Sequence, residues 1–428
     1  MTVQGDIEED ARPSDGLTRS TIYLVASCLL LYMLSTFLRN SVGVIAPDVS
    51  RELDLNATEL SRLVSFFFLS FALCQIPVGV LVDVFGPRRV ILGSLAVMLA
   101  GCAVFATGTT YVQLAVGRLI IGMGCSSFLM APLAVYAHRF SPSRFSTMIG
   151  IQMGGGMVGM LAATAPLASA AATYGWRSVF WAAAIAGLVV FLAIALSMKD
   201  EAPRQPRKKD KIGKLLRSSF AGLGQVIRMP GFAPVMAMQV ITVGPSSVIL
   251  GLWGGPWLHD IYGMELVERG NTLLANGALA ALGTFLWGMS DRRFKSYRKP
   301  ILIGSSVTFL FLLALTFTKI PRGILPFFLA GLGFFGAFGP LVFAYSRSLF
   351  PKEYVARGLT LMNTAQIGGV FLHQAMTGYL IDFYEPVMTE SGPEYPLQAY
   401  QLVFGLLAAE AAIAFLFYWR AREVYPKG

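Results

Sequence analysis

The sequence predicts an all-α integral membrane protein of twelve transmembrane helices in two pseudo-symmetric six-helix bundles, with both termini cytoplasmic. Three observations carry that prediction: an apolar composition, basic residues gathered on one side of the spans, and an internal duplication. Of 428 residues, 55% are hydrophobic and only 14% charged, against roughly 25% charged in soluble domains. The mean hydropathy is +0.62. So few polar side chains cannot cover so much apolar surface in water.

A bilayer-spanning helix needs about 20 mostly apolar residues. Twelve runs qualify: 21–45, 59–84, 90–108, 112–137, 145–168, 177–198, 233–257, 271–290, 300–318, 324–349, 357–383 and 398–419. The first run follows a polar tail bearing Asp6, Glu8, Glu9, Asp10 and Asp15. It lacks a small-residue cleavage site and is expected to stay as a helix rather than leave as a signal peptide. With both ends placed inside, 26 of the 34 Lys and Arg fall on the inner side and six on the outer, while Arg39 and Arg118 lie within spans. This bias sets the orientation. It also removes the net charge of +10 as an argument for a nucleic-acid partner. Cys28, Cys74, Cys102 and Cys125 all sit in apolar runs without CxxC spacing, which argues against a disulfide framework or a zinc site.

The longest inner connection divides the spans six and six. It separates a cytoplasmic tail (1–20) and N-terminal bundle (21–198) from a linker (199–232), a C-terminal bundle (233–419) and a second tail (420–428). The linker begins KDEAPRQPRKKDK, a flexible stretch suited to anionic lipid headgroups. Its part Ile212–Ile227 alternates apolar and basic positions, as a short interfacial helix would. Landmarks recur across the two halves: Pro47 and Pro256, Gly122 and Gly331, and Pro142 and Pro351 each lie 209 apart, with Asp83 and Asp291 208 apart. Two parallel halves place a cavity on their pseudo-two-fold axis near mid-membrane, and rocking them exposes it to either side.

After the second span comes GVLVDVFGPRR, with Gly79, Asp83, Gly86, Arg88 and Arg89. Gly79 permits close helix approach, and Asp83 can pair with Arg or cap a neighbouring helix. This stretch resembles the inner-loop signature of the major facilitator superfamily. The second-half copy, WGMSDRRFKSYRK, keeps Asp291 and Arg292 but has Trp287 where Gly79 stood. Span four, GRLIIGMG, is similar to the family's RxxxGxG pattern through Arg118, Gly122 and Gly124, and GWRSVF at 175–180 is usual before its sixth helix. The resemblance implies a secondary transporter working by alternating access, with helices one, four, seven and ten lining the cavity and the inner-loop charges acting as a gate. These motifs serve carriers of unrelated solutes, so they do not choose the cargo.

The cargo is read from intramembrane polar residues. On helix one, Cys28, Tyr32, Ser35, Thr36, Arg39 and Gly43 recur at spacings of three and four, one polar stripe. An intramembrane charge costs at least about 2.5–3.5 kcal/mol and so faces a cavity or a partner. Asp48 lies nine residues from Arg39, about 13 Å along a helix and too far for contact. Arg39 and Arg118 therefore face no intramembrane acid in the first half, and a guanidinium suits a carboxylate or phosphate. Gln152, Gln239, Trp253, Tyr345, Asn363 and Gln366 complete the candidate substrate-binding set, each also explicable as helix–helix glue. A Gly244–Pro245 break is expected in span seven.

Similarity to the family's anion:cation symporter branch is partial, since its acids are replaced by Leu38 and Cys125. The proton-coupling candidates are instead His373, whose unperturbed pKa of about 6.5 suits protonation near neutrality, and Glu410. A buried neutral histidine and an interhelical pair are the respective structural alternatives. His259 and Asp260 are expected to be solvated at the outer mouth. The expected function is import of a small organic anion by ion-coupled symport or exchange, with H+ as the coupling ion, in a bacterial inner membrane. The chain is expected to act as a monomer among membrane lipids, without cofactor or metal. The alternative is export of amphipathic drugs by proton antiport. Span five, GGGMVGMLAATAP, lacks the Gly-Pro pair of the family's drug exporters. Catalysis is not expected, because His138, His259 and His373 lie apart and no HExxH, P-loop or Ser-His-Asp pattern occurs.

Overall fold

The computed structural model describes residues 19–140, 142–198, 227–229, 231–350, 355–389, 392–421 and 423. Most of both tails, most of the linker and the Arg292 side chain lie outside this set, and so does nearly all of the predicted interfacial helix. Spans one to six are Arg19–Leu53, Ala57–Phe85, Pro87–Thr107, Tyr111–Ala137, Pro142–Ala162 with Ala165–Tyr174, and Trp176–Ser197. Spans seven to twelve are Phe232–Tyr262, Leu266–Gly288, Arg298–Phe317, Leu325–Leu349, Val355–Ile381 and Leu397–Trp419. Among the described residues, nine helices are long and apolar enough to cross a bilayer, or ten with the bent pair of span five. Spans eight and eleven are helical over 23 and 27 residues but less apolar. Their polar side chains, among them Arg269, Thr272, Asn276, Gln366, His373 and Gln374, are turned into the bundle and buried.

Local chemistry explains the breaks. Asn56 caps span two by accepting the Glu59 amide, and the Glu59 carboxylate accepts the Asn56 amide in return, a reciprocal capping box. Gly86 and Gly175 turn the tight corners into spans three and six at φ of 81° and 79°, where a side chain would be strained. Span five, predicted as one helix, bends by 41° between Ala162 and Ala165. Pro166, at the second position of the outer piece, cannot donate to the ladder. In span seven the predicted break moves: the α-helix runs through Gly244–Pro245 to Val248, and a π-helical stretch, Ile249–Trp253, follows. A membrane helix tolerates proline when the ladder adjusts nearby.

Glycines report how the two halves meet. At the outer end, as charge asymmetry assigns it, a Cβ on Gly43 or Gly255 would collide with backbone of the opposite half, and one on Gly378 with Ser61. A Cβ on Gly270 would lie 2.6 Å from Ala168. Spans one and seven, two and eleven, and five and eight therefore touch there at backbone distance. Further in, Gly79, Gly150, Gly154 and Gly368 have nothing within 4 Å of a Cβ. The close approach expected at Gly79 is absent: a Cβ there would meet no neighbour. At the end that charge asymmetry assigns to the outside, the two halves are closed against each other.

The contrast predicts two stabilities. Gly122→Ala places a Cβ against the Phe67 carbonyl and the Ser70 hydroxyl, an overpacking that costs about 1–3 kcal/mol. The detergent-solubilised variant should melt several degrees lower than the parent in a thermal unfolding scan, whereas Gly79→Ala should not.

Candidate functional site

Span two presents Phe67 and Phe71 one helical turn apart, stacked with centroids 5.8 Å apart and planes at 23°. Each ring face receives a guanidinium. Arg118 lies 4.9 Å from the Phe67 centroid and Arg39 lies 4.8 Å from that of Phe71. An aromatic face gives a cation partial compensation in a dry setting. The two arginines then differ. Arg118 is fully buried and donates to the Leu38 carbonyl at 2.8 Å and the Val64 carbonyl at 3.3 Å. It ties span four to spans one and two, a packing role in place of the expected solute contact. Arg39 is half-buried, and among the described residues no carboxylate pairs with it. Asp48 is engaged elsewhere, with Arg269 at 3.1 Å and Arg51 at 3.6 Å.

The next residue, Asn40, faces Gly251 of the other half, and Gly43 abuts Leu250 and Gly251. Arg39 thus sits immediately below the outer closure, one helical turn from the backbone contact at Gly43. The rest of the predicted stripe turns away from the axis. Cys28 and Ser35 are fully buried, and Thr36 donates to backbone of its own helix and packs under Gly159 of span five. Tyr32 is half-buried, with its ring against Gly156.

Several other candidates are knots within one half. Gln152 accepts from the Tyr136 hydroxyl and donates to the Cys28 carbonyl, both at 2.9 Å. Trp253 donates to the Thr377 hydroxyl at 2.9 Å. Tyr345 is buried between the rings of Tyr297 and Tyr418. Gln366 donates to Thr242 at 3.4 Å. Asn363 is half-buried. Gln239 is fully buried, and neither atom of its amide has a partner among the described residues.

Two expectations converge. His373 of span eleven and Glu410 of span twelve, read separately in the sequence, meet with Nε2 2.7 Å from a carboxylate oxygen. The imidazole fits against Gly244, where a Cβ would lie 3.0 Å from Cε1. The glycine before Pro245 therefore makes room for a ring more than it breaks a helix. His373 Nδ1 is buried without a partner among the described residues.

The inner-loop signature spreads over exposed surface. Arg88 donates to the Ala195 carbonyl at the end of span six at 2.7 Å. Asp83 and Arg89 are exposed, and Asp291 opens the short helix Ser290–Phe294. GWRSVF is an outer clasp: Trp176 donates to Glu52 at 2.8 Å, and Arg177 bridges Glu52 and the Gly108 carbonyl. The expectation of a solvated His259–Asp260 pair fails. The Asp260 side chain is 5% exposed and accepts from the Tyr395 amide and the Tyr400 hydroxyl. Sequence reading weighed Asp48 only against Arg39 and missed Arg269, Asp382 and Tyr395, which with Asp48 link the halves at this end. Each looks like loop chemistry along the chain, and only the fold brings them together.

The whole defines a multi-pass membrane carrier: two helical bundles closed against each other at one end, beside a half-buried cation. Residues 28–373 match the Major Facilitator Superfamily profile, and the chain belongs to that family of transporters. It is similar to the uncharacterized transporter YybO of Bacillus subtilis, at 26% identity over 86% of this chain and 88% of that one. Similarity to the hexuronate transporter of Escherichia coli K12 is 24%, over 84% and 78%. The match to mouse solute carrier family 2 facilitated glucose transporter member 10 is 31%, but covers 46% of this chain and only 39% of the mouse protein. Among solved structures, a bacterial homolog of the human lysosomal transporter Spinster superposes with a TM-score of 0.77 at 17% identity, covering 95% of this chain and 98% of that one.

The two arginines should separate in a stability assay. Arg118→Ala removes two buried charged hydrogen bonds, each worth about 1.5–3 kcal/mol, and should lower the melting temperature clearly. Arg39→Ala loses a ring contact worth about 0.5–1 kcal/mol and should cost less than half as much.

Proposed function

We propose that this transporter imports a small organic anion into the bacterial cytoplasm across the inner membrane, with Arg39 as the anion anchor. The observation that carries the reading is the half-buried guanidinium of Arg39, lying below the outer closure without a carboxylate partner among the described residues. A ring face answers part of its charge, and an anionic solute supplies the rest through a two-pronged hydrogen-bonded pair. The name of the hexuronate transporter, a relative along most of the chain, supports an organic anion as cargo. The glucose transporter match covers much less of either protein and weighs less.

The His373–Glu410 pair is the proposed coupling-proton site. A histidine against a carboxylate in a low-dielectric bundle changes charge with one proton. Its contact with Gly244 joins that change to span seven, which meets span one at the outer closure. The amphipathic-drug exporter is the weaker reading, because it leaves the unpaired Arg39 without a role.

Arg39→Gln should abolish uptake of an anionic solute into proteoliposomes while the protein stays monodisperse. A thermal-shift series of carboxylates, phosphates, neutral sugars and cationic drugs should stabilise the parent with anions only. Stabilisation by cationic drugs alone, with none by anions, would refute the reading. His373→Ala should retain solute exchange but lose accumulation driven by a pH gradient.

A further inference from the structure

Span two begins with four amides that have no partner in their own helix. The Glu59 amide is taken by the Asn56 side chain, and the Asn56 amide by the Glu59 carboxylate. The other two are answered from the opposite half of the molecule. Ala57 donates to one carboxylate oxygen of Asp382 at 3.1 Å and Thr58 to the other at 2.9 Å. Asp382 directly follows span eleven, 325 residues along the chain from Ala57. Its charge lies at the positive end of the span-two dipole, the favourable sign.

The contact is reinforced from the hairpin Val387–Thr389 and Gly392–Glu394. Just after it, the Tyr395 hydroxyl donates to Asp382 at 3.1 Å and accepts from the Ala57 amide at 3.1 Å. Burial, with smaller contributions from the charges of Asp382 and Asp260, pushes the Tyr395 hydroxyl well above its ordinary pKa, so it remains a donor. The Tyr395 amide in turn donates to Asp260, which faces His259. Near the same end, Arg62 of span two meets Tyr379 of span eleven, and Glu59 lies in the first turn of span two. Leu60, Trp253, Pro256 and Tyr395 line a small gap beside this cluster.

We infer that Asp382 is the latch of the outer gate, its carboxylate completing the cap of span two from across the pathway. Opening to the outside must pull Asp382 from Ala57 and Thr58 and leave two amides and a carboxylate to water. The Asp48–Arg269 pair acts in the reciprocal direction, an acid of the first half held by a base of the second. Neutralising Asp382 therefore shifts the resting population toward the outward-open form, whatever the solute.

The test uses full-length protein in nanodiscs without solute. In the Leu60→Cys protein, labelling by a membrane-impermeant maleimide should be about tenfold faster once Asp382→Asn is added, as expected for losing one charged hydrogen bond or more. Amides of the 57–60 segment should lose hydrogen-exchange protection, while those of span three keep theirs. Tyr395→Phe keeps the ring and should move both readings in the same direction by less, and it stands in if Asp382→Asn does not fold. Labelling and protection equal to those of the parent in the folded variant would overturn the inference. Neither reading involves Arg39 or any cargo, so this result stands apart from that of the uptake assays.

Discussion

Charge in a low-dielectric bundle must be answered, and this protein answers its cations in two different ways. Arg118 is held by two backbone carbonyls and the face of Phe67, while its Nε has no partner among the described residues. Arg39 has the face of Phe71 and no acid among the described residues. The Arg118 bond to the Leu38 carbonyl fixes span one at the residue just before Arg39, so the fully buried cation positions the half-buried one. The phenylalanine stack lets the two guanidiniums share one helix face without sharing an anion.

A second division separates what each half holds for itself from what the halves hold together. Within the first half, Glu52 is clasped by Trp176 and Arg177, and Gln152 bridges Tyr136 and span one. Within the second, Trp253 is bonded to Thr377, and the Gln374 amide group donates to the Ser247 carbonyl. The links between the halves gather at the outer end, in glycine contacts and charged caps. Such a distribution lets the bundles move as bodies about their meeting surface.

The helical scaffold was legible in the sequence because bilayer thickness sets the length of each apolar run along the chain. Span five departed from the prediction because hydropathy does not register a bend, though Pro166 marks where it falls. The site was less legible. Helical spacing grouped Cys28, Ser35, Thr36 and Arg39 on one stripe, but a stripe faces either a cavity or a neighbouring helix, and Thr36 packs under Gly159 of span five while Arg39 meets Phe71 of span two. His373 and Glu410 were found singly as intramembrane ionisable residues, and only helix packing could pair them. Asp382 escaped notice because an acid in a loop is ordinary until a helix end from the other half stands before it.

The π-helical stretch Ile249–Trp253 lies where span seven reaches Gly43 of span one. A wide turn of this kind takes up one residue more than an α-helix needs. If it tightened to α geometry, everything beyond Gly254 would swivel by about 100° relative to the inner part of the helix. Trp257, His259 and Asp260 would then present different sides to span one. Span seven thus carries a stored residue of slack at the hinge line, able to re-index its outer tip while its inner portion keeps its packing.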